Sequence, residues 1–263
     1  MQTIIKNILL AVCLLSGIMA EAQHALFLKQ GNIQYEKKVN VLAVMKDRLT
    51  TNDIWGQKAV EGYENSGRSP FITNNFNLAF NDAKSLYTPI EGGDEKPNPF
   101  GFFQSAASDN IVYTDMDSLK SVASKAIYDE NFMVADSVRN IHWKITDETR
   151  EIAGFQCRRA NALIMDSIYV VAFYTNEILT SSGPESFSGL PGMILGVALP
   201  HLHVTWFATK VSVSPPVDKA TLVPPTPRRK AITTTRKELF ERLNKRLKEW
   251  GKQGNLIMQN SLL

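Results

Sequence analysis

Two of the four histidines in this chain have a spacing that could support metal chemistry. His201 and His203 follow Pro200, and side chains at positions i and i+2 of a β-strand point to the same face. Two adjacent imidazoles could hold a zinc or copper ion if a third ligand came from elsewhere. The sequence identifies no third ligand, so the simpler interpretation is two solvated histidines at the start of a strand. We expect no cofactor, and metal binding through His201 and His203 stands last among three functional hypotheses.

A second unusual stretch, rich in glycine and proline, runs from Gly183 to Leu195. Glycine permits positive φ or close backbone approach and proline fixes φ, so such residues specify a backbone path. Ser186 and Ser188 lack the Gly-x-Ser-x-Gly frame of a serine hydrolase. The chain also lacks a phosphate loop, a dinucleotide fingerprint and a His-Glu-x-x-His motif. These absences favour a protein that is not an enzyme.

The glycine- and proline-rich stretch is therefore predicted to be a structural turn that delivers a core strand at Met193-Ile194-Leu195. It is also a candidate contact for a partner. The residues assigned to this site are Gly183, Pro184, Phe187, Gly189, Leu190, Pro191 and Gly192.

The N-terminus has the features of a secretory signal over residues 1–22. Lys6 supplies the positive charge, residues 8–20 are apolar, and Ala20-Glu21-Ala22 is a small-x-small cleavage site. Cys13 lacks the residues of a lipoprotein signal, and no other run approaches the roughly 18 apolar residues of a membrane span. We expect an exported chain, periplasmic or associated with the outer membrane, that is neither a lipoprotein nor membrane-spanning.

Loss of the signal leaves Cys157 as a lone cysteine. The simplest prediction is a buried, small apolar side chain. The alternative is a reactive or intermolecular thiol.

Charge is concentrated near the C-terminal end of the chain. The net charge is only +3, which does not suggest nucleic acid as a partner, but residues 228–252 carry ten Lys/Arg against three Glu. Thr235 and Glu238 form a capping box for an amphipathic helix, which Gly251 or Gly254 would end. Its apolar stripe (Leu239, Phe240, Leu243, Leu247 and Trp250) would dock on a sheet, or the helix would meet anionic lipid.

The remaining chain alternates apolar and polar residues in closely spaced segments, which is typical of antiparallel strands. Examples are Ile33–Val41, Phe71–Phe80 and Val204–Val213, with turns expected at 129–131 and 147–149. We predict a mainly β, β-rich α+β fold: a curved antiparallel sheet or half-barrel with one or two covering helices. A helix is expected to begin near Asp53, and the longest loop is expected to span residues 91–109.

The domain organisation follows from these patterns. We expect a cleaved signal peptide at 1–22, a β-sheet domain at 23–213 and a Pro-rich connector at 214–230. A basic amphipathic helix and tail would then occupy 231–263.

The string Gly189-Leu190-Pro191-Gly192-Met193-Ile194-Leu195 resembles the signature of the GLPGLI family of exported Gram-negative envelope proteins, with Met193 in place of leucine. Other blocks agree, including residues 152–160 and 173–178. The strand order is also similar to the curved sheets of envelope lipoprotein carriers, an analogy of fold alone.

The resemblance implies no catalytic residues. It implies a non-enzymatic envelope protein that acts as an accessory or binding partner of an outer-membrane receptor or transport complex. The first alternative is a periplasmic carrier of an apolar ligand or lipid in a curved-sheet cavity. The second is the metal-binding protein described above.

Overall fold

The fold is a mostly β structure with few helices, as the alternating sequence pattern predicts. The computed structural model describes residues 27–49, 53–90 and 109–263; the expected signal peptide at 1–22 and most of the expected 91–109 loop lie outside these ranges. Twelve strands form one open sheet in the order β12-β6-β5-β4-β3-β2-β1-β11-β10-β9-β8-β7. All pairs are antiparallel except β12 with β6, which is parallel.

The strand bounds are as follows: β1 Gln30–Asn40, β2 Phe71–Asn81, β3 Lys84–Pro89, β4 Ile111–Asp115, β5 Lys120–Ile127, β6 Glu130–Ser137, β7 Lys144–Ile152, β8 Phe155–Ile164, β9 Ile168–Thr175, β10 Met193–Leu199, β11 Val204–Ser212 and β12 Ile232–Thr234. The helices are α1 Val41–Arg48, α2 Ile54–Glu64, α3 Arg236–Leu247 and α4 Gly251–Leu262.

The chain connectivity requires the sheet to be strongly curved. β6 lies next to one end of the sheet and β7 forms the other end, yet only residues 138–143 connect them. A fully extended linker of this length spans at most about 25 Å. The two ends of the sheet must therefore approach each other, which gives an open half-barrel with an inner and an outer face.

The inner face holds the core, because alternate residues of each strand point inward. On β1 these are Ile33, Tyr35, Lys37 and Val39, all nearly inaccessible to solvent. Their registered neighbours continue the layer: Tyr35 lies opposite Phe76 on β2, and Lys37 lies opposite Trp206 on β11. Aromatic side chains thus fill much of the space inside the curve.

The helix caps follow the expected local chemistry. Asp53 Oδ1 accepts from Gly56 N at 2.8 Å and begins α2 where the sequence predicts it. Thr235 and Glu238 form both hydrogen bonds of the capping box at the start of α3. Leu239, Leu243 and Leu247 are buried, but Phe240 and Trp250 stay 42% and 48% exposed, so the predicted docking stripe is narrower than expected.

Two local predictions are wrong. The turn expected at 147–149 lies inside β7, where the register with β8 shifts between Ile145 and Thr149, so a bulge replaces the turn. The expected tail is a further helix, α4, whose Gly254 lets the backbone approach Leu247 O, where a Cβ would meet that oxygen at 2.0 Å.

None of the helices in the described part of the chain combines the length and apolar character that crossing a bilayer requires.

Candidate functional site

Residues 176–192, which connect β9 to β10 and contain the glycine- and proline-rich stretch, form a packed element that we call the signature segment. The amide of Met193 donates to Ile178 O at 3.0 Å, and the amide of Ile194 donates to Ser182 O at 2.8 Å. Ser181 Oγ donates to Leu190 O at 2.6 Å. These bonds fold the segment back along the start of β10, so its path is fixed as the sequence suggests.

The structure buries most of the site residues predicted from the sequence. Those shielded from solvent are Gly183, Pro184, Phe187, Leu190 and Gly192. Phe187 packs edge-on against Trp206 with ring centroids 5.9 Å apart. Only Gly189 and Pro191 are exposed, so only these two can touch a partner in this conformation.

Glu185 is the functional candidate of the signature segment that the sequence patterns did not reveal. Its Oε1 lies 3.2 Å from Lys37 Nζ, and the two side chains are only 1% and 4% exposed. Asn110 Nδ2 donates to Glu185 Oε2 at 2.8 Å. Burying a charge is costly unless it is paired and hydrogen-bonded. Both carboxylate oxygens have a partner, which is how the fold accommodates the ion pair.

Aromatic rings enclose the ammonium group of Lys37. Its Nζ lies 5.0 Å from the ring centroid of Trp206 and 5.8 Å from that of Phe76, within the range of cation–π attraction. A signal for this site existed in the sequence. Lys37 occupies an inward position in the alternating run of Tyr35 and Val39, and a lysine on a core face needs a partner.

A second buried lysine lies on β5. Burial lowers the pKa of Lys125 to about 8, although the nearby Glu185 carboxylate acts in the opposite direction. Lys125 Nζ donates to Ser261 O at 3.3 Å. A partly neutral amine could act as a base or nucleophile, but this one is 5% exposed. In this conformation no reactant reaches it, and the polar cluster holds the fold together.

Hydrogen bonds from the same region hold the C-terminal end of α4. Three side chains from separate elements donate to three consecutive carbonyl oxygens: Lys125 on β5, Arg139 in the β6–β7 connector and Ser186 in the signature segment. The acceptors are Ser261 O at 3.3 Å, Leu262 O at 2.6 Å and Leu263 O at 2.5 Å. The side chains of Leu262 and Leu263 are 7% and 5% exposed. We call this set of contacts the 261–263 site.

The histidine pair is not arranged as the metal hypothesis requires. His201 lies in a 3-10 turn at Pro200–Leu202, and His203 caps that turn with a left-handed φ of 54°. The expectation of two same-face strand residues is therefore wrong. His203 Nε2 instead lies 2.8 Å from Asp47 Oδ2. Across the residues that the structure describes, no group of three His, Cys, Asp or Glu side chains is placed to hold a metal.

Cys157 on β8 is a free, fully buried thiol. Burial, with a smaller contribution from Glu177, raises its pKa to about 12. The thiolate is the reactive form of cysteine. Because this thiol stays protonated and is buried, it packs as an apolar group in the folded chain.

Comparison with known proteins places the signature segment in a wider context. Residues 163–196, from the end of β8 into β10, match a family model described as "Protein of unknown function (Porph_ging)". The match covers the signature segment but only this part of the chain. No curated protein matches the chain.

Two solved structures are similar in fold. The first, titled "Structure of PNGF-II in C2 space group", has a TM-score of 0.50 at 13% identity and covers 89% of this chain and 33% of that chain. The second, titled "Structure of PNGF-II in P21 space group", has a TM-score of 0.46 at 14% identity and covers 79% and 32%. The chain spans about a third of their length, and the likeness concerns the fold alone.

Proposed function

We propose that this protein is an exported, non-enzymatic cell-envelope protein of the GLPGLI type that captures an apolar segment of a partner protein. The partner that we expect is an outer-membrane receptor or transport complex. The observation that supports this proposal is the 261–263 site, where side chains from three separate elements converge on three consecutive carbonyl groups.

The chemistry of the 261–263 site is that of a receptor for a short peptide. Its donors contact backbone carbonyls, which every sequence presents, while the two leucine side chains are buried. Backbone bonds that give affinity and pockets that give specificity are a recurring mode of peptide recognition. A partner segment with two adjacent aliphatic residues would satisfy the same groups.

Residues 261–263 would then occupy the site in the free protein and compete with the partner. A segment tethered within the same chain competes at an effective concentration of about the mM range. Variants that weaken the binding of residues 261–263 should therefore leave the site accessible to other peptides. Simple capping of α4 is the alternative explanation, because the last carbonyls of a helix need donors and favour nearby cations.

The test is to weaken the segment in the full chain and supply a peptide in trans. The double variant Leu262→Ser/Leu263→Ser keeps every backbone carbonyl but removes both buried leucine side chains. We expect a labelled peptide of residues 255–263 to bind this variant at least about tenfold more tightly than the unchanged chain. The matched control peptide carries serine at 262 and 263 and should not bind.

Capping alone predicts a different result. The double variant would remain folded by circular dichroism and yet bind neither peptide. A variant with Leu163→Ser, which alters an exposed side chain on β8, controls for the loss of a leucine in itself.

The carrier and metal hypotheses have less support. Trp206, Tyr35, Tyr87, Phe76 and Phe187 are among the largest fully buried side chains, and they occupy space that a ligand inside the curve would need. His201 and His203 do not share a strand face. Space for an apolar ligand lies instead in a groove at the rim of the half-barrel.

A further inference from the structure

A groove opens at the rim of the half-barrel between α3, α4 and the turn that joins β8 to β9. It has a volume of about 530 Å³ and is open to solvent along one side. This volume lies within the usual range of small-molecule sites, roughly 300–1,000 Å³. The buried Lys37–Glu185 pair does not line the groove, but the groove shares Arg139 and Leu262 with the 261–263 site.

One part of the groove is apolar. Its walls come from Met165 in the β8–β9 turn, Phe240 on α3, and Met258 and Leu262 on α4. Phe240 is 42% exposed, so a large ring faces the open space. Methionine adapts its shape to irregular apolar partners. This surface suits a flexible hydrocarbon chain.

The other part of the groove is cationic. Arg139, Arg236 and Lys237 line it, against a single acid, Asp166. Arg236 is already engaged, since its Nη2 lies 3.5 Å from Asp136 Oδ1. Lys237 is exposed at the first turn of α3. An anion in this part of the groove would therefore meet a net positive field.

Arg139 makes the strongest case for an anion. Its Nη2 donates to Leu262 O at 2.6 Å, but its buried Nε has no hydrogen-bond partner. Burial, and then repulsion from Arg236, lowers the pKa of its guanidinium to about 10. The carboxylate of Asp136 offsets this lowering only in part. A largely buried charge is costly unless it is well paired, and an anion in the groove would add to the partial compensation from Asp136.

We infer that this rim groove binds a single-chain amphiphile, with its anionic head group at Arg139 and Lys237 and its hydrocarbon chain against Phe240 and Met258. The head group adds an anionic partner beside the guanidinium of Arg139, and the hydrocarbon chain covers the exposed ring of Phe240. Gln259 Nε2 donates to Ser167 Oγ at 3.0 Å, which ties α4 to the β8–β9 turn and keeps the groove in shape.

The experiment is a calorimetric titration of the full chain with four probes below their micelle concentrations. Hexadecanoate and hexadecyl phosphate share a chain and distinguish two anionic head groups; hexadecan-1-ol has the chain without the charge; acetate has the charge without the chain. We expect one or both charged long-chain probes to bind with 1:1 stoichiometry. The alcohol should bind at least about tenfold more weakly, and acetate should not bind measurably.

Variants then locate the binding. Lys237→Gln and Phe240→Ser change exposed side chains and should each weaken hexadecanoate or hexadecyl phosphate severalfold. Arg139→Gln should weaken it by about tenfold or more, and Arg139→Lys should recover part of that loss. The matched control is Lys245→Gln, an exposed lysine on α3 outside the groove.

Three results would overturn the inference. Neither charged probe binds; or the alcohol binds as tightly as the charged probes; or Lys237→Gln and Phe240→Ser leave the affinity at the value of the control. None of these depends on whether the 261–263 site accepts a peptide in trans, so the two proposals fail separately.

Discussion

Lys37 and Glu185, 148 positions apart in the sequence, form a buried ion pair with Nζ and Oε1 separated by 3.2 Å. The bond joins β1 in the middle of the sheet to the signature segment. Asn110, which directly precedes β4, donates to the second carboxylate oxygen of Glu185. Two hydrogen bonds to one buried carboxylate thus tie three distant parts of the chain together, so the stability of the fold should depend on Glu185.

Removing one member of this pair should be strongly destabilising. Glu185→Leu leaves a buried ammonium without its counter-ion, which typically costs about 3–5 kcal/mol in the free energy of unfolding. Replacing both residues in Lys37→Met/Glu185→Leu removes the charge and should recover most of the loss. Urea denaturation measures both effects.

The control for the ion pair is on the same strand. Lys38 pairs with Glu36, but both side chains are substantially exposed, so Lys38→Met should change the stability by about 0.5 kcal/mol or less. If the double variant at 37 and 185 proves as unstable as Glu185→Leu alone, the charge is not the reason for the coupling.

The two glycines of the signature segment should respond differently to alanine. A Cβ on Gly192, at φ +138°, would lie 2.1 Å from Thr175 O, whereas a Cβ on Gly189, at φ +90°, would find its nearest atom at 3.8 Å. Gly192→Ala must displace backbone and should prevent folding or sharply lower the yield. Gly189→Ala meets only the strain of a positive φ, about 1–2 kcal/mol. Thermal melting and secreted yield of the two variants, compared directly, would show a reversed order if this geometry were incorrect.

Lys125 should make the stability of the protein depend on pH above 8. Its folded-state pKa of about 8 lies below its ordinary value of 10.5. Between these two values the unfolded chain binds more protons than the folded chain, so the free energy of unfolding rises as the pH increases. The full penalty is present below pH 8 and amounts to about 3 kcal/mol.

The measurement for Lys125 is urea denaturation at several values between pH 8 and 10.5. Lys125→Met should flatten the rise in stability over this interval. Lys120→Met, which changes an exposed lysine on the same strand, should retain it. Equal slopes in all three chains would show that Lys125 is not desolvated as described.

Cys157 should be unreactive in the folded protein. Its pKa of about 12 leaves almost no thiolate at pH 8, and the side chain is buried. We expect an aromatic disulfide reagent to label it only after denaturation. Rapid labelling of the native protein would instead support a reactive thiol.

The strands of this fold were largely predictable, because an inward side chain at every second position leaves a clear pattern. Ile33, Tyr35 and Val39 mark β1 in this way. The bulge in β7 was not predictable: Asp147 and Glu148 are typical turn residues, and only the pairing of the residues on either side of them with β8 keeps them in a strand. The last helix was hidden because Gly251 and Gly254 are typical helix terminators, although Gly254 serves a close backbone contact.

The candidate site was less accessible to sequence reasoning than the fold. The path of the signature segment could be anticipated from its glycines and prolines. The partner of Glu185 could not, since Lys37 lies 148 positions away and no local pattern connects them. The 261–263 site depends on three donors that only the tertiary structure brings together.

The measurement that tests the central proposal most directly is photo-crosslinking in the native envelope. A photoreactive amino acid at position 237, exposed in the groove that Leu262 also lines, would be introduced into the full chain and into the Leu262→Ser/Leu263→Ser variant. We expect cross-links to an outer-membrane protein, and we expect their yield to be higher in the double variant. Cross-links that remain within the chain in both proteins would contradict the capture of a partner at this site.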